Sequence, residues 1–316
     1  MIAAMKAAFV GFGRVVSSPS LVFWLWVANV AAAFPLTLML SRSLEESIGG
    51  SLVHERLESG FDMGWYGEFQ ADARGFEESF SPSIVGAGAF FDNLEGWFNG
   101  GLFEASPGLV GAGVLYALLW ALFLGGIFHR YGSGTGFFRL SELLSRGGEF
   151  FFRFARLAVL SGFLYYLVYR LSVWLFGRVE DATRDVTMER TVLGYVVAAA
   201  LLVAFLLTFI HVAFDYAKIA TFKENRRSML LAMVKGFRLV LGNLGRTMIL
   251  YYGLALFGLL LLGAYYLIAP GPGQSSLPSV VFAFLVGQAY LIVKLVLRLT
   301  FYAGGLALYD SSGCRC

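Results

Sequence analysis

The chain has 316 residues, of which 58% are hydrophobic and only 14% are charged, and it contains 31 Phe and 15 Tyr. Soluble domains carry about 25% charged residues, so the composition excludes an ordinary soluble globular protein and indicates a multi-span membrane protein. The net charge of +3 excludes little, because the charged residues are sorted into separate segments along the chain.

The first 40 residues predict an amphipathic helix on the membrane surface, followed by the first membrane span. In "MKAAFVGFGRVVSSPSLVFWLW" (5–26), Lys6 and Arg14 precede an apolar run that continues to residue 40, and "SSPS" predicts a break before the span. A cleaved signal peptide is the alternative, because the start is basic and alanines stand at 31–33. The long charged region and the continuing apolar run favour a retained span.

Residues 41–108 predict an acidic segment outside the membrane, with three Arg against twelve Asp and Glu. Within it, four apolar residues fall on one helical side and predict a second interfacial helix: Ile84, Phe91, Leu94 and Phe98. The aromatic and acidic stretch 61–80 predicts a small cap. The excess negative charge would attract cations or a basic partner, and a solvated acidic loop is the alternative.

Five further apolar runs have the roughly 20 residues that a membrane span needs. They cover residues 109–128, 157–177, 192–214, 248–269 and 279–299. The segments 129–156 and 215–247 are basic, and basic loops stay cytoplasmic. We therefore predict an all-α integral membrane protein of the bacterial inner (plasma) membrane, with six spans and both termini cytoplasmic. Cys314 and Cys316 then lie in the cytoplasm as free thiols.

The stretch 230–244 predicts a helix that lies on the membrane. One apolar stripe contains Leu230, Met233, Val234, Phe237, Leu241 and Leu244. Lys235 and Arg238 flank this stripe, where their charged ends can reach lipid phosphates. Gly242 and Gly245 predict the turn into the next span.

Similar stretches at 5–26, 143–163 and 233–253 suggest an internal repeat. Arg156 and Arg246 are 90 residues apart, and the pair Gly125–Gly126 recurs as Gly304–Gly305 179 residues later. The extra spacing before the second copy matches the longer first outer loop. We predict three copies of one unit, each an interfacial helix, a span out and a span back. The alternative is that any helix entering a membrane from the cytoplasm carries Arg and aromatic residues at its foot.

Two strings, "GGIFHRYGSG…FFRLSELLSRGGEFFFRFARL" and "DYAKIATFKENRRSMLLAMVKGFRLVLGN", resemble those of uncharacterised bacterial six-span membrane proteins. Their layout is also similar to the membrane region attached to some glycerophosphodiester phosphodiesterases. This resemblance covers most of the chain and implies a six-span fold. It brings no catalytic residues, and the chain has no phosphodiesterase domain.

Several polar residues in or near the predicted spans are candidates for function. His211 and Asp215 share a helix face, where they would relay a proton, orient a metal ligand or anchor the helix depth. Arg170 lies towards the outer end of its span and would pair with Glu180 or Asp181, bind a lipid headgroup or snorkel outwards.

Four more candidates lie on the first and last spans. Lys294 and Arg298 stand four residues apart, close enough to the cytoplasm to snorkel to it. Asn29 and Gln288 are mid-span polar residues that favour hydrogen bonds between helices, with a transport pathway as the alternative.

No nucleophile–base pair, metal-ligand pattern or nucleic-acid-binding module is visible in the sequence, so we expect no enzyme activity, no cofactor and no nucleic-acid partner. We predict a non-enzymatic membrane subunit or scaffold that contacts membrane lipids and a protein partner. The alternative is a transporter or lipid-translocating protein with a pathway between the repeats.

Overall fold

The computed structural model describes residues 2–49, 62–73, 77, 107–133, 139–269 and 276–311. Those ranges contain helices and no strand, which confirms the all-α fold class. The helices are α1 (Ile2–Val16), α2 (Pro19–Ile48), α3 (Met63–Asp72), α4 (Pro107–Ser133), α5 (Leu140–Thr183), α6 (Glu189–Lys223), α7 (Met229–Gly242), α8 (Leu244–Ile268) and α9 (Leu277–Ser311).

Six of these helices, α2, α4, α5, α6, α8 and α9, are long and apolar enough to cross a membrane. Each holds one of the six predicted apolar runs, so the six-span architecture is confirmed. Several helices continue past the predicted span ends, because hydropathy marks the apolar part of a helix and not its last hydrogen bond. At about 1.5 Å per residue, the 44 residues of α5 measure about 66 Å, twice the bilayer core of about 30 Å.

Two local breaks separate a short helix from the span that follows it. Between α1 and α2, Ser18 is the N-cap and Pro19 takes the first helical position, where its missing N–H leaves no donor unpaired. Between α7 and α8 the break falls at Asn243, whose backbone N–H donates to the carbonyls of Leu239 and Val240. The break therefore falls between Gly242 and Gly245, where the turn was predicted, and Gly245 itself lies in the first turn of α8. Helix α5 has no such break within 140–183.

The chain divides into two compact units, which we describe separately. The larger unit contains residues 1–17, 118–254 and 299–316, and the second contains 18–117 and 255–298. An aromatic cluster lies in the core of the larger unit, where the ring of Phe128 is 6.0 Å from Phe154, 5.9 Å from Phe222 and 5.5 Å from Tyr302.

In the second unit, helix α3 packs on the end of α2. Asp62 caps α3 by accepting hydrogen bonds from the backbone of Gly64 and Trp65. The indole of Trp65 donates to Ser47 Oγ at 3.0 Å, and Trp65 and Phe69 are buried against Leu44 and Ile48. This short helix lies within the predicted cap. The interfacial helix predicted over 84–98, and both cysteines, lie outside the described residues.

Candidate functional site

Helix α1 and helix α9 meet backbone to backbone in the larger unit. A Cβ atom at Gly11 would lie 2.6 Å from the Gly304 nitrogen and 2.9 Å from the Thr300 carbonyl oxygen. From the other side, a Cβ at Gly304 would lie 3.2 Å from the Ala7 oxygen. No larger side chain fits at position 11 unless the two helices move apart.

The same kind of crossing joins α4 to the first part of α5. A Cβ at Gly125 would lie 2.6 Å from the Arg146 carbonyl oxygen, and one at Gly126 would lie 2.7 Å from that of Leu143. On α5, a Cβ at Gly147 would collide with the Leu122 carbonyl oxygen. At all three glycines the obstacles include backbone atoms, which cannot rotate away as a side chain can, and at Gly126 the side chain of Leu143 is also in the way.

A third crossing joins α6 to α7. A Cβ at Gly236 would lie 2.8 Å from the Ala217 nitrogen and would collide with the Ala213 carbonyl oxygen. In all three crossings a glycine of the shorter or leading helical segment faces the backbone of a membrane-span helix. The partner backbone atoms come from positions four residues apart in the first and third crossings.

The faces of α1 and α7 that point away from these crossings are apolar and exposed. On α1, small residues are buried and large ones are exposed, with Phe9 at 72% exposure. The large apolar residues exposed on α1 are Ile2, Met5, Phe9, Val10, Phe12 and Val16, and those exposed on α7 are Leu230, Leu231, Val234 and Leu241. Of the predicted stripe, Met233 and Phe237 are half-buried and the rest is exposed.

Several basic side chains near these helices have acidic partners. Lys235, expected to reach lipid phosphate, instead forms an ion pair with Glu224. Arg226 and the hydroxyl of Tyr309 also donate hydrogen bonds to Glu224, the latter at 2.6 Å. Burial raises the pKa of Glu224, but the hydrogen bonds from Lys235, Tyr309 and Arg226 outweigh it and lower this pKa to about 2.

Other basic side chains are exposed and have no ion pair among the described residues. Arg156 lies at the foot of the apolar part of α5, between the exposed side chains of Phe152 and Val159. Arg246 lies near the start of α8, close to the exposed Ile249. A guanidinium beside exposed apolar side chains is typical of the level of lipid phosphates.

The predicted pair of His211 and Asp215 forms as expected and extends into a larger network. His211 Nε2 lies 3.5 Å from Asp215 Oδ2, and Lys218 donates to Asp215 Oδ1 at 2.7 Å. The hydroxyl of Tyr165 on α5 lies 3.1 Å from His211 Nδ1. The Asp215 carboxylate thus lies between a lysine and a histidine of its own helix, and the contact between Tyr165 and His211 joins α6 to α5.

A small cavity borders this network, with a volume of about 20 Å³. Its lining includes Asp215, Tyr216, Thr247 and Tyr302. The Tyr216 hydroxyl oxygen is buried and has no hydrogen-bond partner among the described residues. This volume is large enough for one water molecule.

Arg170 lies on α5, is exposed, and forms no ion pair with Glu180 or Asp181 in the described part of the chain. Asp181 instead pairs with Arg184 at 3.6 Å. The described residues thus show neither of these two pairings, since both acids lie at least ten residues further along the same helix, about 15 Å away.

In the second unit, both mid-span polar residues have hydrogen-bond partners. The indole of Trp26 donates to Gln288 Oε1 at 2.9 Å. Asn29 accepts from the Tyr116 hydroxyl at 3.1 Å and donates to the Leu25 carbonyl at 2.7 Å.

Two further features of the second unit relate to the predicted pair of basic residues on the last span and to the predicted acidic segment. On α9, Lys294 is exposed and Arg298 is half-buried. A cavity of about 360 Å³ lies between α2 and α3, lined by Glu46, Glu68, Asp72 and Glu77 with Trp65 and Phe69. It carries the acidic character that the sequence predicts for the outer segment.

Among the described residues, no group of three or more His, Cys, Asp or Glu side chains could hold a metal ion, so His129, His211 and Asp215 form no such cluster. Comparison of the chain with protein-family models, curated proteins and solved structures finds no match.

Sequence reasoning missed Lys218, Tyr165 and Glu224. Lys218 follows Asp215 by three residues on a helix, a spacing that could have predicted their pairing. Glu224 is one of only two acids in the basic segment 215–247, which marks it as a counter-ion. Tyr165 is 46 residues from His211, and no local pattern connects them.

Proposed function

We propose that this chain is a non-enzymatic membrane subunit or scaffold that contacts lipid and a protein partner. The main support for the proposal is the set of three close helix crossings at glycines in the larger unit. They hold the small faces of α1, the leading part of α5 and α7 against span helices, and the large apolar side chains of α1 and α7 face outwards. Such helices suit the boundary between headgroups and acyl chains.

The proposal includes three copies of one structural unit. Gly11, Gly147 and Gly236 take corresponding positions, and each approaches a carbonyl on the return span of the preceding copy. The first copy packs against the last copy, because α1 contacts α9. The continuous α5 is a departure from this plan, since α1 and α7 are each separated from the next helix by a break.

Lipid contact on the cytoplasmic side is supported by the exposed basic residues beside these helices. Arg156 and Arg246 lie at the feet of two apolar spans with exposed apolar neighbours. Arg238 on α7 is exposed as well. Anionic lipids of a cytoplasmic leaflet attract such residues, each by about 1 kcal/mol.

The polar residues favour a scaffold over a transport pathway. Asn29 and Gln288 use their side chains in hydrogen bonds that hold helices together. Arg170 is exposed on α5. None of the three lines either of the two cavities described above. Mid-span side-chain hydrogen bonds of this kind mainly stabilise packing.

The experiment is purification from the native membrane in mild detergent, with quantitative mass spectrometry of what stays bound. A scaffold predicts at least one protein in fixed stoichiometry. Gly11→Val, which forces α1 from α9, should lose that partner, whereas Gly13→Val, whose Cβ meets nothing within 4 Å, should retain it. Substrate-dependent flux into proteoliposomes holding this chain alone would contradict the proposal.

A further inference from the structure

Helix α5 carries a basic and aromatic stripe on one exposed face. Arg170, Trp174 and Arg178 follow each other at intervals of four residues, so they share a side of the helix. Trp174 is 56% exposed, and the guanidinium of Arg178 lies 5.7 Å from the centre of its ring. Leu167 and Leu171 are also exposed beside Arg170.

The spacing of arginines along α5 fixes the depth of Arg170. Arg156 and Arg178 are 22 residues apart in one continuous helix, which is about 33 Å at 1.5 Å per residue. That length matches the hydrocarbon core of a bilayer, about 30 Å. If these two arginines lie at the two phosphate levels, Arg170 lies about 12 Å inside the level of Arg178.

Arg170 needs an anion at this depth, because an uncompensated guanidinium in hydrocarbon is expensive. No acidic side chain among the described residues pairs with it, and the nearby Asp181 already pairs with Arg184. The anion with access to an exposed membrane-facing surface is the phosphate of a lipid. A guanidinium binds phosphate through two parallel N–H donors, which makes the pair strong and directional.

We propose that Arg170 and Arg178 bind the phosphate group of a glycerophospholipid in the leaflet at the Arg178 end of α5. The headgroup is drawn below the mean phosphate level of that leaflet, since Arg170 lies too deep to reach it otherwise. Trp174 packs beside the lipid between the two arginines. The inference rests on the membrane-spanning architecture and not on the protein partner of the proposed function.

Solid-state NMR on the full chain in phosphatidylglycerol and phosphatidylcholine bilayers tests this directly. In phosphate-free buffer, ³¹P dephasing of labelled arginine side chains reports which guanidinium groups touch lipid phosphate. A dephased signal should disappear in Arg170→Gln and persist in Arg184→Gln, which removes the same charge from the end of the helix. A dephased spectrum identical in wild type and Arg170→Gln would overturn the proposal.

Lipid retention gives a second measurement. Native mass spectrometry should find about ten-fold lower occupancy of tightly bound phospholipid in Arg170→Gln, with Arg170→Lys between it and the wild type. Equal occupancy in all three proteins would overturn the proposal.

Inorganic phosphate added to lipid-free detergent micelles identifies the source of the anion. If phosphate alone restores the dephasing, the site binds free phosphate, and the proposal of a lipid ligand is overturned. Arg170→Gln should still purify with the protein partner, so loss of the lipid site and loss of the proposed function are separate outcomes.

Discussion

Adjacent glycines on α5 provide a matched test of the helix crossings. Gly147 is buried, and a Cβ there would collide with the carbonyl oxygen of Leu122, whereas a Cβ at Gly148 meets nothing within 4 Å. Both residues lie in the same turn of α5, but only Gly147 faces α4. The Ala substitution should therefore have opposite effects on stability at the two positions.

At Gly148 the change to Ala adds helix propensity and should stabilise the protein by about 0.5–1 kcal/mol. At Gly147 the same gain is offset by overpacking against backbone, which costs about 1–3 kcal/mol or more because the obstacle cannot rotate away. We expect Gly147→Ala to destabilise the fold by up to about 2 kcal/mol net of the propensity gain.

The assay is equilibrium unfolding in mixed micelles of a mild detergent and dodecyl sulfate, followed by circular dichroism. The midpoint of Gly147→Ala should fall below that of the wild type, and the midpoint of Gly148→Ala should lie at or above it. If both variants shift the midpoint equally, α4 and α5 do not meet at Gly147 and the crossing is refuted.

Three further predictions concern polar groups. The pKa of Glu224 falls to about 2 in the folded chain from the ordinary value of 4.5, so its stabilisation is complete above pH 4.5 and is lost as the pH falls towards 2. Between pH 2 and 5 the melting temperature should change less with pH in Glu224→Gln than in the wild type. Melting temperatures that change equally with pH in both proteins would contradict the ion-pair cluster. Double-mutant cycles on Trp26→Phe and Gln288→Leu should give a coupling of about 0.6 kcal/mol, and no more than about 1.7; a coupling of zero would refute their hydrogen bond. Asp215→Leu should destabilise the protein by roughly 3 kcal/mol because it leaves Lys218 unpaired. Adding Lys218→Met should recover most of that loss. If the double variant unfolds at the same midpoint as Asp215→Leu alone, the pairing is contradicted.

The six spans could be predicted from sequence because a long apolar run has few ways to satisfy its backbone outside a membrane helix. Helix ends were less predictable. Helix α7 ends at Gly242 and is capped by Asn243, whose backbone and side-chain amides donate to the Leu239 carbonyl, an arrangement that composition does not reveal.

Contacts between distant segments could not be read from the sequence. In the sequence the glycine pairs at 125–126 and 304–305 indicated a repeat, but only the fold brings Gly11 to Gly304. Likewise, the sequence predicts a lipid-facing Lys235, whereas the fold places Glu224 beside it as an ion-pair partner. The resemblance to the membrane region of some glycerophosphodiester phosphodiesterases stays a prediction.

The proposed repeat requires that α1, the leading part of α5 and α7 lie at one depth on the same leaflet. Spin labels at Phe9→Cys, Leu144→Cys and Val234→Cys, in a chain whose Cys314 and Cys316 are replaced by Ser, report depth through their accessibility to oxygen and to a water-soluble nickel chelate. All three labels should lie at the headgroup and acyl boundary, about 5–10 Å deep. A Leu144→Cys label in water, with the other two in lipid, would contradict the proposed three-copy arrangement.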